Sequence, residues 1–386
     1  MTRTRTLTST LLTLSAATVL AVGSAGAAAA VELPAPVITG GTTETGTTGS
    51  ATTEAGTTGN ESSPGAAVVS GAGSTVASTA VAALKTVINA ADYWTADRMR
   101  AAAPGEILAG KALALSRQSP ATPQPVATGH PTTIEATRPS AVEGTNPTLR
   151  SQSPASTAGS DSLTRKVYAT ESSTSHIGKV FFTVNGADYV CSANAVTSAN
   201  KSTIATAGHC VTGGTGSMAS NFVFVPAYSN GSAPYGKWTA KSFYSPVEWS
   251  SQSNVQYDTA FAVINPLDGR SLTDVVGASG LAFNAPRGLD YKAYGYPAAP
   301  PFSGEALQSC SGTAHDDQNN PQFNTQGIPC TMTGGASGGP WFMGTSSSGY
   351  QNSVNSYGYG SGSSEMYAPY WGTVIQQSYQ NASTAA

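Results

Sequence analysis

From about Ile177 onward, apolar and polar residues alternate in short runs: KVFFTV, DYVCSANAV, STIATAG, NFVFVPAY, KAYGY and SVNSYGY. A period of two marks strands with one buried face. Turn formers separate the runs, with NG at 185–186, SNG at 229–231 and PRG at 286–288. Many short strands with regular turn signals predict an all-β barrel or sandwich, and roughly 210 residues suffice for two small barrels. The closing stretch YWGTVIQQSYQNA predicts a strand and then one terminal helix.

The first 165 residues have a different texture. Arg3 and Arg5 precede LLTLSAATVLAV and then GSAGAAAA. A basic start, an apolar run too short to span a bilayer and small residues at A-x-A spacing predict a secretory signal peptide over 1–30, cut after Ala27 or Ala30. Residues 39–81 are mostly Thr, Gly, Ser and Ala, and residues 118–160 are rich in Pro, Ser and Thr. Such stretches bury too little apolar surface to offset chain entropy, which predicts disorder. Between them Val81, Leu84, Val87 and Ile88, then Trp94 and Met99, recur at helical spacing, predicting a helical island at about 78–103 that Pro104 and Gly105 stop. The division is a signal peptide at 1–30, a low-complexity propeptide or linker at 31–165, and a globular domain at 166–386.

Charge narrows the function. The net charge is −3 and only 10% of residues are charged, which opposes binding to nucleic acid or to an anionic membrane surface. A secreted chain with four cysteines, Cys191, Cys210, Cys310 and Cys330, predicts two disulfides. Of the three possible pairings, Cys191–Cys210 and Cys310–Cys330 close the simplest loops. No C-x-x-C or H-x3-H spacing supports zinc, and no metal or cofactor is expected.

Candidate chemistry centres on GGASGGPW at 334–341. A nucleophilic serine needs a sharp backbone bend, free N–H groups and room for a carbonyl, and glycines around Ser337 provide these. A Gly-rich turn has the same look without any chemistry. Of four histidines, His130, His176 and His315 lie in polar or flanking segments. His209, in TIATAGHC, sits at a strand end beside a cysteine, the rigid mounting that a base requires. Most aspartates after it, including Asp316 and Asp317, fall in polar turns and read as solvated. Asp258, in VQYDTAFAVINP, enters an apolar strand and needs a buried partner such as a histidine N–H. Asp290, in LDYKAYGY, is the runner-up.

The order His209, Asp258, Ser337 on an all-β chain resembles the chymotrypsin-like (trypsin-like) serine endopeptidases over roughly 177–380. TAGHC is similar to that family's histidine motif, YDTAFAVI to its aspartate strand and GGASGGP to its serine motif. The resemblance implies two six-stranded antiparallel β-barrels with a C-terminal helix, and a His-Asp-Ser triad acting through an acyl-enzyme. The oxyanion hole would be the N–H groups of Gly335 and Ser337. It also implies a substrate pocket formed by Thr331, Met332, Thr333, Ser356, Tyr357 and Gly358, with Ser356 near Asp258. Partners would be protein or peptide substrates and the chain's own propeptide, whose helix would dock through Tyr93, Trp94 and Met99, and the enzyme would be a secreted monomer.

Ala336 stands where trypsin has an aspartate, and no IVGG-like start lies near 165–180, so activation by inserting a new N-terminus is not expected. In this the chain is closer to secreted bacterial members such as the glutamyl endopeptidases. Thr331, at the pocket base, offers no acid for Lys or Arg. No histidine follows His315, and Met332 replaces the hydroxyl that glutamate preference would use, which leaves apolar or mixed preference. Two other readings compete. One is an inactive protease-like binding or surface module on a stalk-like leader. The other, an α/β-hydrolase esterase, requires the order Ser, Asp, His and fails because no histidine follows Ser337.

Overall fold

The computed structural model describes residues 78–81, 89–118, 129–140, 167–213, 216–360 and 362–386. The signal-peptide stretch, residues 39–77 and the Arg165-Lys166 pair lie outside the described residues.

Strand Ile177–Val184 is buried along its whole length and turns through Asn185-Gly186 into Ala187–Val196. Both turn residues have positive φ, 51° and 78°, which a two-residue hairpin needs to match the twist of its strands. The ladder continues through Thr203–Thr206, Ala260–Ile264, Trp238–Pro246 and Ser220–Pro226, and the last of these pairs back onto Ile177–Val184. Six strands thus close into a barrel. Its buried aromatic side chains include Phe182, Phe224, Phe243 and Phe261.

The second half is distributed over two sheets. One runs Leu281–Phe283, Gln351–Val354, Pro340–Met343, Asp290–Gly295, Gln308–Thr313 and is extended at its edges by Thr132–Ile134 and Ala169–Thr170. The other is His315–Asp316, Gln326–Pro329, Glu365–Ala368. The Cys310–Cys330 disulfide ties them together, and Cys191–Cys210 ties the His209 turn to its neighbouring strand. Both pairings are those with the simplest loops. Helix Thr373–Thr384 closes the chain, stacking Tyr379 against Phe261 and Phe283.

The N-terminal segments differ from the sequence expectation. Within the described part of the expected helical island, Ser78–Val81 is a strand paired with Trp238–Pro246, and Ala90–Tyr93 and Ala96–Ala101 are helices; Leu84, Val87 and Ile88 lie outside the described residues. As expected, the island's helix stops before Pro104 and Gly105: Ala96–Ala101 is capped by Ala102, and Ala103–Pro104 is a short strand. A longer helix, Glu106–Gln118, follows them, because proline and glycine there lie before the first turn, where no intrahelical N–H is required. Thr132–Ile134, within a stretch read as disordered, pairs with Leu281–Phe283. Backbone hydrogen bonds to an existing sheet edge replace the apolar burial that this stretch lacks.

These segments grip the barrel. Trp94 is fully buried against Phe181, with its Nε1–H donating to Asn221 O at 2.5 Å. Met99 is buried in the same cluster, and Tyr93 O–H donates to Asp188 at 2.9 Å. Trp94→Ala is expected to weaken the hold of residues 89–118 by about 3–5 kcal/mol, the usual cost of truncating a buried aromatic. Limited proteolysis of the full chain checks this: that segment should be cut much faster than in the unaltered protein.

Candidate active site

His209 lies in the 3₁₀ turn Gly208–Cys210 that follows strand Thr203–Thr206. Asp258 caps another short turn, Val255–Tyr257, and immediately precedes strand Ala260–Ile264. The two strands are paired, with Thr206 opposite Ala260, so the ladder itself brings the two residues together. Both side chains are fully buried. Asp258 Oδ1 accepts the His209 backbone N–H at 2.8 Å, and Oδ2 lies 2.7 Å from Nδ1. Ser356 O–H donates to the same Oδ2 at 2.5 Å. A carboxylate accepts only, so Nδ1 carries the ring proton and Nε2 is the free base. His209 Nε2 has no hydrogen-bond partner among the described residues.

Ser337 is 5% exposed and sits in the turn between Thr333 and strand Pro340–Met343. The first barrel clamps this turn through Ser192. Its N–H donates to Ser337 O at 2.7 Å and its Oγ–H to Gly335 O at 2.9 Å. From the other side, the Asn355 amide donates to Ala336 O and Tyr294 O, each at 2.8 Å. Gly335 has φ of 97° and Gly338 of 79°, conformations that a β-carbon penalises. A β-carbon at Gly338 would also run into Thr206 Oγ1 and Ser192 O. Neither the Gly335 nor the Ser337 N–H donates to another group among the described residues. No hydrogen bond joins Ser337 Oγ to Nε2 in this structure; such contacts commonly tighten only when substrate binds.

The expected pocket residues Thr331, Met332, Thr333, Ser356, Tyr357 and Gly358 line one cavity with Ser337, of about 550 Å³. Asp290 does not enter the site. It is exposed and accepts from Thr313 at 2.6 Å. Asp317, expected to be solvated, is fully buried, because its Oδ1 accepts the N–H groups of Asn319 and Asn320 and its Oδ2 the hydroxyls of Tyr357 and Tyr359. It holds the pocket-wall tyrosine from behind. His176 accompanies Asn194 at 2.7 Å, and burial lowers its pKa, so it is a neutral packing residue.

Sequence reasoning missed the segment that closes the cavity. Pro104, Glu106 and Ile107 line it together with Ser337. Ala103 and Pro104 lie in a parallel bridge beside Tyr189 and Val190, and the Gly105 N–H donates to Val190 O at 2.9 Å. The Glu106 carboxyl rests on Gly334. Burial raises its pKa from 4.5, against smaller lowering influences from His209 and the Gly334 N–H. Helix Glu106–Gln118 then packs Ala112 and Leu113 in a cluster with Trp249, Val255 and Tyr357. Nothing in the Glu-Ile-Leu-Ala run at 106–109 marks Glu106 as a cleft residue.

Cys191, His209 and Cys210 fall within 4.8 Å of one another, but both sulfurs are consumed in the disulfide, so no thiolate is offered to a metal.

No protein-family model matches the chain. Among solved structures it is similar to protease Anisep from Arthrobacter nicotinovorans, at 67% identity over 57% of this chain and 100% of that one, with a TM-score of 0.56. It is also similar to the thermostable serine protease AL20 from an extremophilic microorganism, at 52% identity over 55% of this chain and 99% of that one, with a TM-score of 0.54. A stretch of 103 residues, 27% of the chain, is 29% identical to an extracellular metalloprotease of Bacillus subtilis (strain 168) and spans 33% of that protein's length.

Gly338→Ala combines left-handed strain of about 1–2 kcal/mol with the two collisions at Thr206 and Ser192. Thermal unfolding should show a lowered Tm with loss larger than that strain alone.

Proposed function

Because this chain belongs to the chymotrypsin-like serine proteases, we propose that it is a secreted serine endopeptidase made as a latent precursor. Ser337 attacks the scissile carbonyl, His209 takes its proton on Nε2, and Asp258 fixes the imidazole tautomer and stabilises the imidazolium. The N–H groups of Gly335 and Ser337 receive the developing oxyanion. The intermediate then collapses: the scissile C–N bond breaks as His209 returns its proton to the leaving amine, and the neutral His209 next activates a water that hydrolyses the acyl-enzyme and restores Ser337. The observation that carries this reading is the buried chain Ser356–Asp258–His209, which ends in a free Nε2 and lies in one fold with an unpaired pair of N–H groups at Ser337. Residues 1–30 act as the signal peptide and 31–165 as a propeptide, removed near Arg165-Lys166-Val167 to leave the 166–386 protease domain.

Latency follows from the occupied cleft. Pro104, Glu106 and Ile107 line the same cavity as Ser337, which supports reading this segment as an obstacle to substrate. The block is steric, since burying the Glu106 carboxyl opposes docking more than its neighbours favour it. Its sign in pH is fixed by the raised pKa. Below the ordinary value of 4.5 both docked and free leader carry the proton and no pH dependence arises. Above it the free carboxyl ionises first, so docking weakens with rising pH until the docked carboxyl ionises too.

A fluorophosphonate probe should label the processed protein at Ser337, and Ser337→Ala should abolish labelling while leaving the fold intact. Absence of labelling in the processed wild type would favour the inactive surface module. The intact chain should be inactive towards chromogenic peptides and gain activity as the leader is released, faster at pH 7.5 than at pH 5. Glu106→Gln should flatten this pH dependence. An active protein whose N-terminus is still Ala28 or Val31 would show that the leader does not inhibit.

A further inference from the structure

We propose that Glu365 determines primary specificity, and that the pocket beside Ser337 takes long side chains with a preference for lysine and arginine over acidic residues. The inference rests on the endopeptidase reading above. The pocket base at Thr331–Thr333 lacks an acid, yet an acid arrives from a different strand. Strand Glu365–Ala368 pairs with Gln326–Pro329, placing Glu365 opposite Pro329 just before that base. Glu365 lines the cavity that contains Ser337, and Ser363 and the Glu365 carbonyl lie directly against Gly358 on the pocket wall.

The remaining lining explains why this carboxylate would dominate. Met332, Met366 and Pro300 give apolar walls that suit a methylene chain. The Tyr357 hydroxyl is occupied by Thr325 and Asp317. The Ser356 hydroxyl is occupied by Asp258, and the Thr333 hydroxyl donates to Ala299 O. Glu365 is therefore the one carboxylate that residues 167–386 contribute to the cavity. Its Oε2 lies 3.1 Å from His315 Nε2, and no hydrogen bond engages Oε1 among the described residues. His315 fixes the carboxylate; its pKa is raised from 6.5, first by its hydrogen bond to the Asp316 backbone and also by Glu365, but it is not among the residues that line the cavity. An acidic substrate side chain would meet Glu365 without a facing cation. A lysine or arginine would lay its stem on the methionines and reach Oε1, and a neutral long side chain would use the same walls alone.

The test is kcat/KM for processed enzyme on peptide nitroanilides that differ only in the residue before the cleaved bond: Lys, Arg, Leu or Glu. Wild type should cleave the Lys and Arg substrates well, Leu less well and Glu poorly. Glu365→Gln should lower the Lys-to-Leu ratio about tenfold or more, the scale expected when one partner of a charge pair is lost. Glu365→Asp should retain most of it. An unchanged ratio in Glu365→Gln, or a wild type that prefers Glu, overturns the proposal. Should Glu365→Gln not fold, competitive inhibition of wild type by benzamidine decides: inhibition supports a cation-accepting pocket and its absence refutes it. Fluorophosphonate labelling run alongside separates the two readings. Labelled enzyme without the specificity pattern sinks only the role of Glu365, whereas no labelling and no turnover sinks the endopeptidase reading and this inference with it.

Discussion

The Asp258 carboxylate is out of water, and the site is organised around that fact. Removing a carboxylate from solvent costs several kcal/mol unless donors replace the lost water. Three donors do so here, from two chain segments: the backbone N–H and Nδ1–H of His209, and the hydroxyl of Ser356. Each donor is thereby fixed. The imidazole cannot rotate without stranding a buried charge. Ser356, on the segment that leads into the pocket wall, is anchored to the first barrel by the same atom. The geometry of the His209–Asp258 pair and the position of the cavity wall at Ser356 therefore share one electrostatic cause.

Many contacts join the two halves, and two of them support the turn that carries Ser337. Ser192, on the first barrel, binds the turn that carries Ser337 and also accepts the Tyr296 N–H at 2.9 Å. Lys179 is buried between Phe181 and Tyr228 with its Nζ donating to Gly304 O at 2.9 Å, and burial brings its pKa down to about 8. That bond pins the loop after Ala298, whose N–H donates to Gly334 O at 2.6 Å. The turn that carries Ser337 is thus supported from below by the first barrel and from the side by a loop that the first barrel also holds.

Much of this was legible in the sequence where local backbone demands decide. GGASGGP announces a turn that tolerates no β-carbon at Gly335 or Gly338, YDTAFAVI places an acid where only a partnered one survives, and TAGHC sets a histidine at a disulfide-braced strand end. What could not be read depends on contacts made through space. Asp316 and Asp317 are neighbours in a polar run, yet the side chain of the first is 67% exposed and the second is fully buried; the tyrosines that bury Asp317 come from a distant loop. Glu106 and Glu365 look like ordinary surface acids in sequence, since neither lies in a periodic apolar pattern that would mark its surroundings. The strands at Ser78–Val81 and Thr132–Ile134 were invisible because their stability comes from the edges they join.

Ser192 carries a further implication for how the molecule tolerates change. A serine hydroxyl stands one rotatable bond from the backbone, so it acts as a short strut with no slack. Threonine would crowd it, alanine would leave the Gly335 carbonyl and the Tyr296 N–H without their partner, and cysteine would lengthen the reach. Sequence drift is free to alter surface loops on either half, but this joint, which works beside others such as Asn194–Gln351 and Lys179–Gly304, is held by one small side chain.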